Sequence, residues 1–256
     1  MIDVDKLGPR IIFSFQNGSI QISETTCFAV IIAVVLAILG IWMGSGLKKV
    51  PRGKQVIAEL FVGWVYKFSE SHVGDRYGSG YAPYIGSLMI WLVFANSLGL
   101  LGLRPVTADI NVTASLSVLS FMLIQGSSLR HLGVEGRIGE LGDPYYFILP
   151  FNLISEFVLP MTLALRLFGN IFGGMIVVDM WLSLMTRISL AFAPIPILRA
   201  VTVIPLNLFF DIFEPLLQAY IFTILTTINL GEGISGMNPE TKEKRQKKKR
   251  LKIKSG

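Results

Sequence analysis

The sequence is poor in the residues that usually carry soluble chemistry. One cysteine, Cys27, and two histidines, His72 and His131, occur in 256 residues. A lone cysteine excludes a disulfide framework, and Cys27 sits in an apolar run where it serves as a small hydrophobe. There is no internal repeat, which argues against a transporter built from two related halves. Charge is scarce as well: 16% of residues are Asp, Glu, Lys or Arg, against about 25% in ordinary soluble proteins. Hydrophobic residues make up 52% and mean hydropathy is +0.60, so an all-α integral membrane protein is expected. No metal or cofactor is expected.

The remaining charge is unevenly placed. Residues 240–256 hold nine of the 23 Lys and Arg and two of the 17 Asp and Glu, so this tail carries +7 and the rest of the chain −1. The basicity therefore belongs to a tail, and with spans elsewhere a soluble nucleic-acid binder is excluded. Lacking apolar periodicity, the tail reads as disordered. It suits anchoring against anionic lipid on the cytoplasmic side, or specific binding to a partner.

Residues 25–47 carry no charge. A signal-peptide core is about 7–15 residues with a basic lead-in, whereas this run is longer and its lead-in is net negative, so a first span is expected. Further spans are expected near 81–103, 110–129, 146–187 and 195–231, each at or beyond the ~20 residues a crossing needs. Residues 54–70 are too charged to cross; their aromatic and basic mix fits an amphipathic helix at the interface better than a loop. Residues 130–144 form a polar, Gly-containing connection. Pro194-Ile195-Pro196 separates the last two long segments, and Pro160, Pro205 and Pro215 are expected to kink them. Placing 45–80, 130–144 and the tail on one side collects 17 basic residues against five opposite, with Arg166 left in the membrane. The excess marks the cytoplasmic side, which puts residues 1–24 and the N-terminus outside and the C-terminus inside. Residues 25–239 make one membrane domain. Arg187 and Arg199, beside the proline break, suit snorkelling to the interface.

Arg166 is the exception to this pattern. It is the only charge between residues 157 and 178. An arginine at the centre of a membrane helix costs roughly 2.5–3.5 kcal/mol on insertion scales. Asn170 follows at i+4 and shares its helical face. On the last segment Asp211, Glu214 and Gln218 fall at i, i+3 and i+7, toward one side of a regular helix. Glu156 and Asp179 add two more acids. Such groups normally face a bundle interior or water and mark ion paths. The plainer reading is an ion pair between Arg166 and Asp211 or Glu214, which leaves the other acids without a role.

Two stretches carry a family resemblance. Leu165-Arg166-Leu167-Phe168-Gly169-Asn170 and Gln218-Ala219-Tyr220-Ile221-Phe222-Thr223-Ile224-Leu225-Thr226 resemble the signature segments of ATP synthase subunit a. Supporting matches are Phe94-Ala95-Asn96-Ser97-Leu98-Gly99-Leu100, Thr107-Ala108-Asp109-Ile110-Asn111-Val112-Thr113, and Asn152-Leu153-Ile154 ahead of Pro160. The likeness runs from about residue 31 to 230 in the family's order.

The resemblance implies a non-catalytic, ion-translocating stator subunit of the F0 sector, in a bacterial plasma membrane. Its partners would be a ring of c subunits, the peripheral-stalk b subunits and the rest of the F1F0 ATP synthase. It implies two half-channels carrying protons, or sodium, and two long last helices tilted along the rotor ring. Arg166 would be the essential arginine, with Asn170 and Gln218 as polar neighbours at the rotor interface. Glu156, Asp179, Asp211 and Glu214 would line the ion path. The sequence departs at Met175, where the family commonly has Glu or His; Asp179, one turn on, is the expected substitute. A self-contained transporter using Arg166 for an anionic substrate and a non-transporting membrane scaffold are the competing readings.

Overall fold

The computed structural model describes residues 11–15, 20–142, 145–192 and 195–235. The basic tail and Pro194 lie outside the described residues. A two-stranded antiparallel hairpin, β1 (Ile11–Phe15) and β2 (Ile20–Ser23), precedes the first helix where no element was expected. Helices follow as α1 (Glu24–Gly44), α2 (Lys54–Val73), α3 (Gly78–Asn96), α4 (Ile110–Leu141), α5 (Leu149–Phe192), α6 (Ile197–Leu208) and α7 (Glu214–Ser235). Among the described residues, five segments are long and apolar enough to cross a membrane: Glu24–Gly44, Gly78–Leu101, Ile110–Gly139, Leu149–Phe192 and Ile197–Ile234.

Local chemistry starts these helices where they start. Ser23 caps α1 by accepting the Thr26 N–H at 3.3 Å, which satisfies one of the donors every helix start leaves open. Asp109 does the same for α4, accepting the Asn111 N–H at 3.0 Å. Its other oxygen accepts from the Thr25 hydroxyl at 2.6 Å. One buried carboxylate therefore clamps the start of α4 to the start of α1, at what we term the hairpin end of the bundle. The opposite end, reached by the C-termini of α4 and α7, is the basic end.

The core lies where α3, α5 and α7 meet. Leu88, Leu92, Leu163, Leu167, Ile171, Ala219 and Phe222 form its centre, with Ala108 from the turn before α4. A second cluster joins Val73 of α2, Ile85 of α3, Ile124 of α4, and Leu230 and Ile234 of α7 toward the basic end. Around these, most of the helical surface is apolar and exposed. Ile57 and Leu60 on α2 are 66% and 76% exposed, and Ile41 on α1 is 74% exposed. Such a surface is stable only against lipid or another apolar surface.

Two features depart from the sequence-based expectation. Residues 130–141 continue α4 instead of forming a loop, but the helix breaks at Gly133, whose φ of 72° suits glycine. The last segment widens into a π turn at Phe209–Phe213, where the Glu214 N–H donates to the Phe209 carbonyl. Pro215 has no N–H to offer the preceding turn, and a wider turn is one way a helix absorbs that loss. At 44 residues, α5 is about 66 Å long, twice the ~30 Å hydrocarbon thickness. Upright in a bilayer, it would project well beyond the hydrocarbon.

Candidate functional site

Arg166 sits on the flank of α5. Its neighbours Leu163, Ala164, Leu167, Ile171 and Gly174 point into the protein and are buried. Arg166 and Asn170 are exposed. The guanidinium makes no hydrogen bond or ion pair to any described residue. The pairing of Arg166 with Asp211 or Glu214 is therefore not formed. A permanent charge on an apolar helix face, with no counter-ion among the described residues, is complementary only to something outside this chain or to water.

The surface around Arg166 is low. Gly169 and Gly173 lie on the same flank, and a Cβ built on either meets nothing within 4 Å. A neighbouring helix can approach the α5 backbone closely there, as small residues allow in membrane interfaces.

The acids distribute by position along the bundle. Asp211, in the π turn, packs against the turn that follows α3: a Cβ on Gly99 would lie 2.5 Å from its Oδ1. Glu214 faces α5 instead, where a Cβ on Gly174 would lie 3.2 Å from its Oε2 and 2.8 Å from the Phe210 ring. The wide turn thus parts two carboxyls that a regular helix would hold on one side. Gln218 is 3% exposed and packed inside the chain. Asp179 is exposed, whereas Met175 packs against the central core. Thirteen residues after Arg166, Asp179 falls about 140° round the helix from it. It is thus on the opposite flank.

Glu156 has a different setting. It accepts a charge-assisted bond from Arg137, and Gln125 Nε2 donates to its Oε2 at 2.9 Å. Arg137 also donates to Gln125 Oε1 at 3.2 Å. This triad lines a cavity of about 220 Å³ at the basic end, shared with Asn152, Asn229 and Glu232. Sequence reasoning missed the roles of Gln125, Arg137, Asn229 and Glu232. They lie on separate helices, and no short-range spacing signals the cavity. Among the described residues no group of three or more His, Cys, Asp or Glu is placed to hold a metal ion.

Comparison with known proteins identifies the family. The family described as ATP synthase A chain matches residues 26–231. ATP synthase subunit a of Moorella thermoacetica is 32% identical over 224 residues, covering 87% of this chain and 95% of that protein. The subunit of the same name from Streptococcus pneumoniae serotype 19F is 30% identical over 235 residues, covering 86% and 96%. The match extends from α1 into α7 and contains Arg166 with its low flank, Glu156, Asp179, Asp211 and Glu214; the chain belongs to the ATP synthase A chain family.

Proposed function

We propose that this chain is the ion-translocating stator subunit of an F-type ATP synthase, acting against a moving ring of c subunits. The observation that carries the reading is Arg166: exposed, and unpaired with any described residue, on a flank cleared by glycine. A self-contained substrate site would instead enclose the charge within the bundle.

In this reading the basic end faces the cytoplasm, following the excess of Lys and Arg. An ion entering from outside passes the polar groups around Asp211 and Glu214 and neutralises a ring carboxylate. It then travels with the ring and leaves toward the cytoplasmic side, near the cavity lined by Glu156. Arg166 attracts each returning, ionised ring carboxylate and blocks a direct ion path between the two routes. Arginine suits this because it stays charged throughout, where a lysine would deprotonate more readily. Each elementary charge crossing 100 mV supplies about 2.3 kcal/mol, so several crossings are needed per ATP made elsewhere in the complex. Asn170 supports Arg166 at the exposed face, while Gln218 acts from inside the chain. Asp179, on the opposite flank, lies toward the outer route. The exposed face of α2 rests at the membrane interface, and the basic tail lies at the cytoplasmic surface. The peripheral-stalk b subunits cover part of the remaining apolar surface.

Mild-detergent purification of this chain should bring down a c ring and an ATPase head. Recovery of a functional transporter consisting of this chain alone would overturn the reading. Asp211→Asn should lower passive ion flux through membranes stripped of the ATPase head by about a hundredfold, at the lower end of the range for a positioned proton-transfer group. Unchanged flux in that variant would remove Asp211 from the route.

A further inference from the structure

Among the described residues, three charged groups line the cavity at the basic end, Arg137, Glu156 and Glu232, each from a different helix. Two of them are already spent on each other. The side chains of Arg137 and Glu156 are 6% and 10% exposed and form an ion pair, with Gln125 bonded to both. The break at Gly133 makes this closure possible. Gln125 and Arg137 are 12 residues apart, about 18 Å along a straight helix, yet their side chains meet at 3.2 Å. The turn at Gly133 (φ 72°, ψ 167°) carries the last segment of α4 back toward Gln125.

Glu232 differs from its neighbours. It is exposed at the cavity rim in the last turns of α7 and makes no hydrogen bond or ion pair to any described residue. The nearby His72 is engaged elsewhere, its ring bonded to the Phe68 carbonyl and tilted against the Phe68 ring. Asn152 donates to the Leu141 carbonyl, and Asn229 to that of Leu225.

We infer that Glu232 is the ion-facing acid of the cytoplasmic route, and that Arg137 is a positioning residue that neutralises Glu156 and fixes it in the cavity wall. The inference rests on the stator reading and deepens it. A cavity whose rim acid pairs with none of the described residues concentrates cations without holding them in a closed cage. A cleft of one charge sign raises local counter-ion concentration by tenfold or more. A neutral Arg137–Glu156 pair contributes shape and hydration but little net field.

The test is ATP-driven pumping by the complete complex in inverted vesicles, with the transported ion varied on the exposed cytoplasmic side. Glu232→Gln should raise the half-saturating ion concentration by about tenfold, the lower bound for such focusing, with the maximal rate nearly kept. Glu232→Asp should stay near the parent, because it retains the charge. The double variant Arg137→Gln with Glu156→Gln removes the buried pair as a unit and should shift half-saturation by less than Glu232→Gln does, whatever its effect on the maximal rate. A Glu232→Gln variant with unchanged half-saturation, or with a rate reduced equally at every concentration, overturns the assignment. So does a double variant shifted as far as Glu232→Gln. Arg166→Ala separates the two levels of the argument. If it pumps like the parent, the stator reading fails; if it is inactive while Glu232→Gln is silent, only the inference about Glu232 fails.

Discussion

Replacing Arg166 with alanine is expected to abolish coupled ATP synthesis while the complex still assembles. Both halves of that outcome follow from the same geometry. The side chain is exposed and bonded to none of the described residues, so its loss leaves no cavity and orphans no partner among them. Removing an unpaired charge from lipid-compatible surface is, if anything, favourable for insertion, by roughly 2.5–3.5 kcal/mol on translocon scales. The functional loss has another origin. Without the guanidinium, nothing on α5 draws an ionised ring carboxylate to the interface, and nothing electrostatic stops ions crossing directly between the two routes. The variant complex, purified and returned to vesicles, should bind its ring and head normally yet make no ATP under an imposed ion gradient. Preserved coupled synthesis would falsify the stator assignment.

Gly231→Ala should act in the opposite sense, weakening the packing of α2 on α7 while leaving Arg166 in place. A Cβ at this position would collide with the carbonyl oxygen of His72 and lie 3.2 Å from the Val73 Cα. These are backbone atoms at the end of α2, held by the packing of Val73 against Leu230 and Ile234, and they cannot rotate away as a side chain could. Overpacking of a tight core usually costs about 1–3 kcal/mol, and a clash with fixed backbone belongs at the top of that range. The α2–α7 contact should open, seen as a lower midpoint in thermal unfolding of the detergent-solubilised chain and as less assembled complex. A variant as stable as the parent would mean that α2 is not seated on α7 as described. Gly233→Ala is the matched control, since its nearest contact, at 3.5 Å, is the side chain of Ser128.

Much of this architecture is legible in the sequence because lipid makes simple demands. A span needs length and apolarity, and runs such as residues 25–47 declare both. Arg166 is equally legible, since an isolated charge in such a run requires a reason. What escapes is set by contacts between distant residues. The polar composition after residue 129 resembles a loop, yet it stays helical because the break at Gly133 lets Arg137 reach Glu156. The common side expected for Asp211, Glu214 and Gln218 assumes a regular helix, and the π turn at Phe209–Phe213 removes that regularity. Gln218 is buried because α7 is packed between α2, α3 and α4, which its own sequence does not record. The hairpin had a visible signal: short apolar runs flank Asn17-Gly18, a pair favoured in tight turns.

The glycines beside Arg166 also bear on friction. Helices lock when the side chain of one drops into a hole formed by four side chains of the other. Gly169 and Gly173 supply no such walls. In the proposed stator reading, a ring sliding past this strip would meet a shallow energy profile, with the arginine as its pronounced feature. The bare backbone would then serve as a bearing race, and the charge as the detent that times each step.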